Sequence, residues 1–502
     1  MRQLMHSFKG EMPPKAVLDG VRQGQIASFC LFRGINGDSP AHMRALTDAL
    51  YRAAQEGNQP LPLIGTDQEG GNLIAITGGA TELPGNMALG ATRSVELAEQ
   101  AGQVLGRELL AMGLNLNFAP CLDVNINPSN PALGVRSFGD DPALVGELGA
   151  ALIRGMQREG VMASAKHFPG LGDSAHDTHF ESTVVTHALS RLEQVELAPF
   201  RAAIREGVAT IMNGHGIFPA LDVQLPATLS PAVIRYLRET LGFQGLILTD
   251  AMDMHAVSRY GHRESVQAAL HAGVDLALLG HIPDQIKLME SLAGKENPAA
   301  LRRLESLQSR LRTDRPAFEV IGCEAHQKIA QNIANAAVTV VRGAQSLPLR
   351  LPSDAQIAVI TPIPENLTPA DTSSSVEIQL AQMIRKRHPR TDAYQLRRHA
   401  PEGEISALLN VVKGADVVIV GTIAADQDKS QSELVNALQR EGKQPLVVAM
   451  RTPYDLSVFP QIDTYLCCYS IRPVALEAAS RVIFGEIEAK GILPCRIPGI
   501  GA

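Results

Sequence analysis

Short apolar runs alternate with longer amphipathic segments through roughly the first 300 residues of the chain. A brief apolar run bounded by turn residues is typical of a buried strand, whereas apolar residues spaced three and four apart predict a helix. The predicted strands cover residues 26–32, 62–66, 114–119, 161–167, 209–213, 246–250 and 274–279. This alternation indicates parallel βα units, arranged either as a barrel or as an open doubly wound sheet.

Capping residues predict where several of the intervening helices begin and end. An apolar stripe at helical spacing follows Ser94, which is therefore predicted to be an N-cap, and Gly113 stands just past the end of the stripe. Ser190 and Glu193 have the spacing of a capping box at the start of another helix. Pro199 comes later in that segment and should kink or restart the helix.

Polar side chains at the ends of the predicted strands favour the barrel over the open sheet. Asp67, Lys166 with His167, His215 and Asp250 all follow apolar runs. The active sites of (β/α)8 barrels lie at the carboxyl ends of the strands. We therefore predict an α/β fold that begins with a (β/α)8-type TIM barrel.

The pattern changes near residue 300, where a second α/β unit begins. An arginine-rich helix is predicted at 301–311, and the charged, proline-containing stretch at 313–316 is typical of a linker. Further strands predicted at 338–341, 356–360, 416–420, 445–450 and 464–469 indicate a smaller doubly wound sheet, or α/β sandwich. The expected division is a catalytic barrel domain at 1–312, a linker at 313–335 and a C-terminal domain at 336–502.

Composition narrows the class of protein. The 502 residues are 45% hydrophobic and 19% charged, as is ordinary for a globular chain. The net charge of -7 argues against a nucleic-acid partner, which usually requires a basic face. No stretch approaches the roughly 20 apolar residues of a membrane span, and the first residues lack the apolar core of a signal peptide. Since the six cysteines form no CxxC pair, we expect buried thiols in a reducing compartment, hence a cytoplasmic protein.

The segment that says most about chemistry is the loop at 166–179, which reads KHFPGLGDSAHDTH. Asp177 and His179 stand two residues apart, a spacing that lets a carboxylate orient an imidazole and raise its pKa. A histidine that titrates near neutrality is a competent proton donor and acceptor. The spacing alone leaves two other interpretations open, a polar surface loop or a metal site built from His167, His176, Asp177 and His179.

Two other segments place carboxylates at strand ends. Asp250 ends the run at 246–250, where a carboxylate can attack an anomeric carbon and form a covalent glycosyl intermediate. Its alternative role is an N-cap, although Asp253 lies further into the turn and suits that role better. Asp67 follows a strand within GTDQEGG, where it can accept hydrogen bonds from sugar hydroxyls, but the same segment is also a good turn.

Taken together, these segments resemble glycoside hydrolase family 3, in its β-N-acetylglucosaminidase branch. The resemblance rests on the KHFPG loop ending in Asp-x-His, on NPSNP at 127–131, on RSFGDDP at 136–142 and on LPGNMALGA at 83–91. It covers nearly the whole predicted barrel. It implies that Asp250 is the nucleophile, His179 the acid/base and Asp177 the partner of that histidine. Four further residues match positions that bind the sugar in the −1 subsite: Asp67, Arg136, Lys166 and His167.

The chain departs from the family pattern at three places. Residues 72–75 read NLIA where the family often has arginines, so one substrate contact is expected to be lost or replaced. Leu171 stands where a histidine is frequent and Thr178 where a serine is common, and both changes look mild. For Arg136, an ion pair with Asp140 or Asp141 is the alternative to sugar binding.

The resemblance implies a retaining exo-glycosidase that removes terminal β-linked N-acetylglucosamine, or N-acetylhexosamine, from a small-molecule glycoside without a metal or organic cofactor. Because a neutral imidazole does not repel an incoming anion, a phosphorylase is an alternative, as are a β-glucosidase and a non-catalytic sugar-binding protein. The absence of tryptophan predicts a short pocket for a terminal sugar, and the family suggests cell-wall recycling or chitobiose-like substrates. The C-terminal domain is expected to be structural, with residues 451–455 forming a turn.

Overall fold

The first part of the chain closes into an eight-stranded parallel barrel, seen in a computed structural model that describes residues 1–500. Six strands form one sheet in chain order: Ser28–Cys30, Leu63–Thr66, Leu116–Asn117, Met162–Phe168, Thr210–Asn213 and Leu246–Thr249. A separate parallel pair, Leu4–Met5 with Ala277–Leu278, is joined to the two edges of that sheet by single bridges. The predicted TIM barrel is therefore confirmed, and all its strands point their carboxyl ends to one face.

Helices connect the barrel strands and cover them from outside. The α-helices of this part are Lys15–Arg22, Pro40–Glu56, Asn86–Thr92, Val95–Ala111, Pro142–Arg158, Leu189–Gln194, Ala198–Arg205, Pro231–Arg235, His255–Ser258, His262–Ala272, Gln285–Ser291 and Pro298–Gln308. Within residues 1–500, none of the helices combines the length and the apolar character needed to cross a bilayer.

The predicted helix boundaries are right at two places and wrong at a third. The Ser94 side chain accepts a hydrogen bond from Leu97 N at 3.1 Å, so Ser94 is the N-cap of Val95–Ala111. Pro199 lies in the first turn of a new helix, Ala198–Arg205, which confirms the restart. The capping box at Ser190 is wrong, because the helix begins at Leu189 and its N-cap is Ala188.

A second, six-stranded sheet follows the barrel. Its order is Thr339–Arg342, Thr464–Cys467, Leu446–Ala449, Val417–Thr422, Ile357–Pro362 and Thr391–Leu396, with only the first strand antiparallel to its neighbour. The helices of this part are Glu324–Ala337, Leu380–Arg385, Glu402–Val412, Lys429–Arg440 and Pro473–Ile483. Two separate apolar cores lie on the two faces of the sheet, as expected of the predicted doubly wound sandwich.

Helix Glu324–Ala337 lies between the two sheets and begins in the stretch 313–335 that was predicted as a linker. Ala330 and Ile333 belong to the barrel core, while Ala334 and Ala337 belong to the cores of the second sheet. The helix packs against Asn86–Thr92 of the barrel and Pro473–Ile483 of the second unit. The barrel and the sandwich therefore share packed surface on both sides of this helix, and the exact domain boundaries stay a prediction.

Candidate active site

A cavity of about 570 Å³ opens at the carboxyl end of the barrel strands. Six of the residues predicted for the site line it: Asp67, Arg136, Lys166, His167, His179 and Asp250. The seventh, Asp177, lies behind His179 and lines a small adjoining pocket. Side chains from separate barrel strands and loops thus meet in one place because parallel strands end at the same face.

Asp250 follows strand Leu246–Thr249 directly and is half-buried. Its backbone N–H donates to Asn213 O at 2.9 Å, and its Oδ1 accepts from Ala251 N at 2.8 Å. Burial raises the pKa of Asp250, but nearby His167, His215 and His179 outweigh burial and lower it. The carboxylate is therefore held ionised, which is the form that can act as a nucleophile.

Asp253 was predicted to cap the next helix, and that prediction is wrong. Helix His255–Ser258 has Met254 at its N-cap position, without a side-chain cap. Asp253 instead lines the cavity, and among the described residues its buried Oδ1 has no hydrogen-bond partner. The turn after Asp250 thus carries a second carboxylate that faces the cavity.

Asp177 and His179 form a hydrogen-bonded pair in the loop after strand Met162–Phe168. Asp177 Oδ1 lies 2.6 Å from His179 Nδ1 and also accepts from the His179 backbone N–H at 2.9 Å. Burial lowers the pKa of His179, but the buried Asp177 carboxylate overcomes this and raises it. Since Nδ1 is occupied, Nε2 is the ring nitrogen left for proton transfer in the cavity.

The alternative of a metal site in this loop has no support in the geometry. His167, His176 and His179 each pair with a different carboxylate, respectively Asp123, Glu181 and Asp177. His176 is exposed and does not line the main cavity, although it lines the small adjoining pocket with the other three residues. Over residues 1–500, the group spaced closely enough to hold an ion is Cys121, Asp123 and His167, which shares only His167 with the predicted set.

Glu69 pairs with two of the cations that line the cavity and was not among the predicted site residues. It pairs with Arg136 Nη2 at 2.8 Å and Nε at 3.0 Å, and with Lys166 Nζ at 2.7 Å. Lys166 also pairs with Asp67 at 2.6 Å. Burial raises the pKa of Glu69, but Arg136 and Lys166 reverse this and lower it to about 2. Two cations, Arg136 and Lys166, are thus paired with two carboxylates, Glu69 and Asp67, at the floor of the site.

The predicted alternative for Arg136, an ion pair with Asp140 or Asp141, is wrong. Asp140 accepts from the backbone N–H of Arg496, and Asp141 caps helix Pro142–Arg158. Arg136 points to the other side, toward Glu69, because residues 134–136 form a 3-10 turn that turns its side chain into the barrel. Arg136 therefore forms its ion pair with Glu69, and it still lines the cavity.

Replacing Glu69 by glutamine is expected to destabilise the fold by about 3 kcal/mol at pH 7, because two buried cations lose an anion. Since the pKa of Glu69 is depressed from 4.5 to about 2, its contribution is fully present above pH 4.5 and is lost as the pH falls toward 2. Thermal unfolding of wild type and variant at pH 7 and pH 3.5 measures this. Glu147→Gln, an exposed helix position, is the control, and a Glu69→Gln protein as stable as the wild type would contradict the account.

Asp123 is a second residue that was not predicted. It is fully buried, lies 2.7 Å from His167 Nδ1 with its Oδ2, and accepts from Leu171 N at 2.6 Å with its Oδ1. Cys121 Sγ donates to the same carboxylate at 3.2 Å. Asp123 therefore holds His167 so that its Nε2 is the ring nitrogen left for a ligand. Leu171, a departure from the family pattern, contributes its backbone to this arrangement.

The second unit supplies one wall of the cavity, which differs from the purely structural role expected for it. Residues 366–375 form a loop after strand Ile357–Pro362, and seven of its residues line the cavity: Asn366, Pro369, Ala370, Asp371, Thr372, Ser374 and Ser375. Arg451 does not line the cavity, but its guanidinium pairs with Asp371 at 2.7 Å. A 3-10 turn, Pro453–Val458, follows Arg451.

Residues 72–75, where the chain departs from the family pattern, make contacts with the loop at 366–375. The carbonyl of Asn72 accepts hydrogen bonds from Thr372 N at 2.8 Å and Thr372 Oγ1 at 2.9 Å. Leu73 and Ala75 line the cavity. An arginine is nevertheless present there, because Arg33 reaches in from the end of strand Ser28–Cys30 and donates to Ala75 O at 3.3 Å.

The barrel presents the ionised Asp250 carboxylate and the His179 imidazole, held by Asp177, at the carboxyl ends of its strands. A barrel with a nucleophile and a proton donor at this face has the arrangement of a glycosidase. Residues 3–310 match the model of the glycosyl hydrolase family 3 N terminal domain. The chain belongs to this family and is a glycoside hydrolase.

Three known proteins illustrate the likeness. A glycoside hydrolase family 3 beta-N-acetylglucosaminidase from Paenibacillus sp. str. FPU-7 superposes with a TM-score of 0.92 at 31% identity, over 99% of this chain and 98% of that one. Beta-hexosaminidase A of Pseudoalteromonas piscicida is 29% identical over 92% of this chain and 88% of its own length. Beta-hexosaminidase of Nitrosomonas eutropha is 36% identical over 54% of this chain and 79% of its own length.

Proposed function

We propose that the chain is a retaining exo-glycosidase that hydrolyses terminal β-linked N-acetylglucosamine. The observation that carries the proposal is that Asp250 and the Asp177-held His179 line the same cavity, one as an ionised carboxylate and one as a proton donor. The names of the relatives, beta-N-acetylglucosaminidase and beta-hexosaminidase, supply the sugar.

The proposed reaction proceeds by two displacements at the anomeric carbon. Asp250 attacks that carbon and forms a glycosyl ester, while His179 gives its Nε2 proton to the departing glycosidic oxygen. His179, now neutral, takes a proton from water, whose oxygen attacks the same carbon and releases Asp250. The anomeric configuration is inverted twice and hence retained.

Four of the residues that line the cavity are proposed to bind the sugar in the −1 subsite: Lys166, Arg136, Asp67 and His167. Lys166 and Arg136 can only donate hydrogen bonds, so they suit hydroxyl and carbonyl oxygens. Asp67 can only accept them when ionised, so it suits sugar hydroxyls. His167, with its Nδ1 held by Asp123, can offer Nε2 to a third oxygen. Ion pairing keeps these groups in place before the sugar arrives.

A cytoplasmic setting and a short glycan fragment as substrate are also part of the proposal. The support is that all six cysteines are free and five of them are buried, as suits a reducing compartment. Cell-wall recycling and chitobiose breakdown both supply such fragments.

The test is release of p-nitrophenol from its β-N-acetylglucosaminide and its β-glucoside, with and without added phosphate. We expect rapid release from the acetamido sugar, little from the glucoside, and free N-acetylglucosamine as the product in both buffers. Preference for the glucoside would contradict the proposed sugar. Formation of a sugar phosphate would contradict hydrolysis and indicate a phosphorylase.

A further inference from the structure

The outer half of the cavity is built by both units of the chain. On the barrel side it is lined by Phe32, Arg33 and His281, which stand near the ends of strands Ser28–Cys30 and Ala277–Leu278. On the other side it is lined by the loop at 366–375. The proposed reaction assigns no role to any of these residues, although the aglycone that it releases would pass through this mouth to reach solvent.

The loop at 366–375 is fixed to the barrel by buried polar contacts. Thr372 Oγ1 donates to Asn72 O at 2.9 Å and accepts from Ile74 N at 3.2 Å. Arg472, also buried, donates to Gly71 O at 2.7 Å and to the same Thr372 hydroxyl at 3.2 Å. The wall is therefore attached to the strand-end segment that carries Glu69, and its geometry is set before a ligand binds.

The groups that this mouth offers are those that bind a pyranose ring. Asn366 Oδ1 accepts from Ser374 N at 2.8 Å, which orients the amide and leaves Nδ2 to donate. The Ser374 hydroxyl is exposed beside it. Phe180 lines the same cavity with 64% of its surface exposed, and an exposed aromatic face can pack against a sugar ring.

The charges that line the mouth do not favour an anionic ligand. The Arg33 guanidinium is shared among Ser375 Oγ at 3.2 Å, Thr77 Oγ1 at 3.2 Å and the Asp38 carboxylate at 3.4 Å. Among the described residues, the other Arg and Lys side chains of the cavity are the pair held by Glu69. Asp253 adds a carboxylate to the lining of the cavity, so a carboxylate-bearing aglycone would meet more repulsion than attraction.

We infer that the loop at 366–375 forms the aglycone subsite and selects a neutral second sugar, such as the reducing-end residue of di-N-acetylchitobiose, over a carboxylate-bearing one. This inference rests on the proposed function, since it concerns the group that the proposed reaction releases. Asn366 and Ser374 are the residues that hydrogen-bond to the second sugar. Arg33 and Thr372 hold the two sides of the subsite in position.

The experiment compares kcat/KM for di-N-acetylchitobiose and for p-nitrophenyl β-N-acetylglucosaminide in wild type, Asn366→Ala, Ser374→Ala and the double variant. We expect the ratio of chitobiose to aryl-glycoside activity to fall about fivefold in each single variant, the effect of one lost hydrogen bond, and further in the double variant. Glu377→Ala, an exposed position just beyond the loop that does not line the cavity, is the matched control and should change neither value.

A third substrate tests the preference for neutral aglycones. Wild-type kcat/KM should be at least about tenfold lower for N-acetylglucosaminyl-N-acetylmuramic acid, because its lactyl carboxylate would enter a cavity lined by the Asp253 carboxylate. An unchanged ratio of chitobiose to aryl-glycoside activity in the double variant would overturn the inference, as would a preference for the carboxylate-bearing disaccharide. Normal hydrolysis of the aryl glycoside in the same experiment would leave the proposed function standing. Inactivity of the wild type on all three substrates would overturn both.

Discussion

Replacing Asp250 by alanine is expected to lower kcat/KM for p-nitrophenyl β-N-acetylglucosaminide by at least about 10⁴-fold, the scale of losing a covalent nucleophile. The structure gives the physical reason. Three imidazoles favour the ionised carboxylate, and the backbone of Asp250 is fixed between Asn213 O and the following turn. In the variant, a water molecule in the space of the missing carboxylate would be less well positioned and less nucleophilic than the Asp250 carboxylate.

Chemical rescue distinguishes a lost nucleophile from a damaged fold. Small anions such as azide should restore part of the Asp250→Ala activity by attacking the anomeric carbon from the vacated side, giving the α-glycosyl azide in a single inversion. Asp284→Asn is the control, since Asp284 is an exposed carboxylate near another strand end of the same barrel face and tolerates the left-handed backbone that asparagine also adopts. Substantial hydrolysis by Asp250→Ala without added anion would contradict the assignment.

The barrel was predictable from the sequence because most of its strands are continuous apolar runs with a polar residue at the end. The run before Asp250, predicted at 246–250, is strand Leu246–Thr249 in the structure. The strand that closes the barrel, Leu4–Met5, was not predicted, since it is two residues long and flanked by polar Gln3 and His6. Thr391–Leu396 was also missed because it lies at the sheet edge and only its two end residues are buried, so it shows no apolar run.

Most of the predicted site residues line the cavity, and Asp177, which holds His179, was also predicted, whereas two buried carboxylates that hold other site residues were not. Asp250 and His179 stand in segments that resemble those of a known family, and that resemblance is what marks them. Glu69 and Asp123 stand in segments where a carboxylate is ordinary, and their importance comes from Arg136, Lys166 and His167, which are distant in sequence. The wall formed by residues 366–375 leaves no local signal in the sequence, because it depends on how the second sheet packs against the barrel.

Replacing His179 by alanine is expected to lower kcat/KM by about 10² to 10⁴-fold, the usual range for a general acid/base. The loss should depend on the leaving group. A dinitrophenolate departs without a proton and should suffer least in the glycosylation step, whereas a sugar alkoxide needs the proton from His179 and should suffer most. A loss that is equal for dinitrophenyl, p-nitrophenyl and chitobiose substrates would contradict the role of His179 as the acid.

Replacing Asp177 by asparagine separates the charge of the pair from its geometry. The amide oxygen still accepts the His179 Nδ1–H, but it no longer stabilises the imidazolium, so the raised pKa of His179 should fall. Hydrolysis requires protonated His179 and ionised Asp250, so kcat/KM declines on the alkaline side as His179 loses its proton. The alkaline limb should therefore move to lower pH in Asp177→Asn, while the acid limb, set by Asp250, should stay in place.

Asp173→Asn is the matched control, because Asp173 pairs with His187 at 2.6 Å in the same loop but does not line the cavity. Coincident pH profiles for wild type and Asp177→Asn would contradict the electrostatic role of Asp177 and show that it acts only by orienting His179.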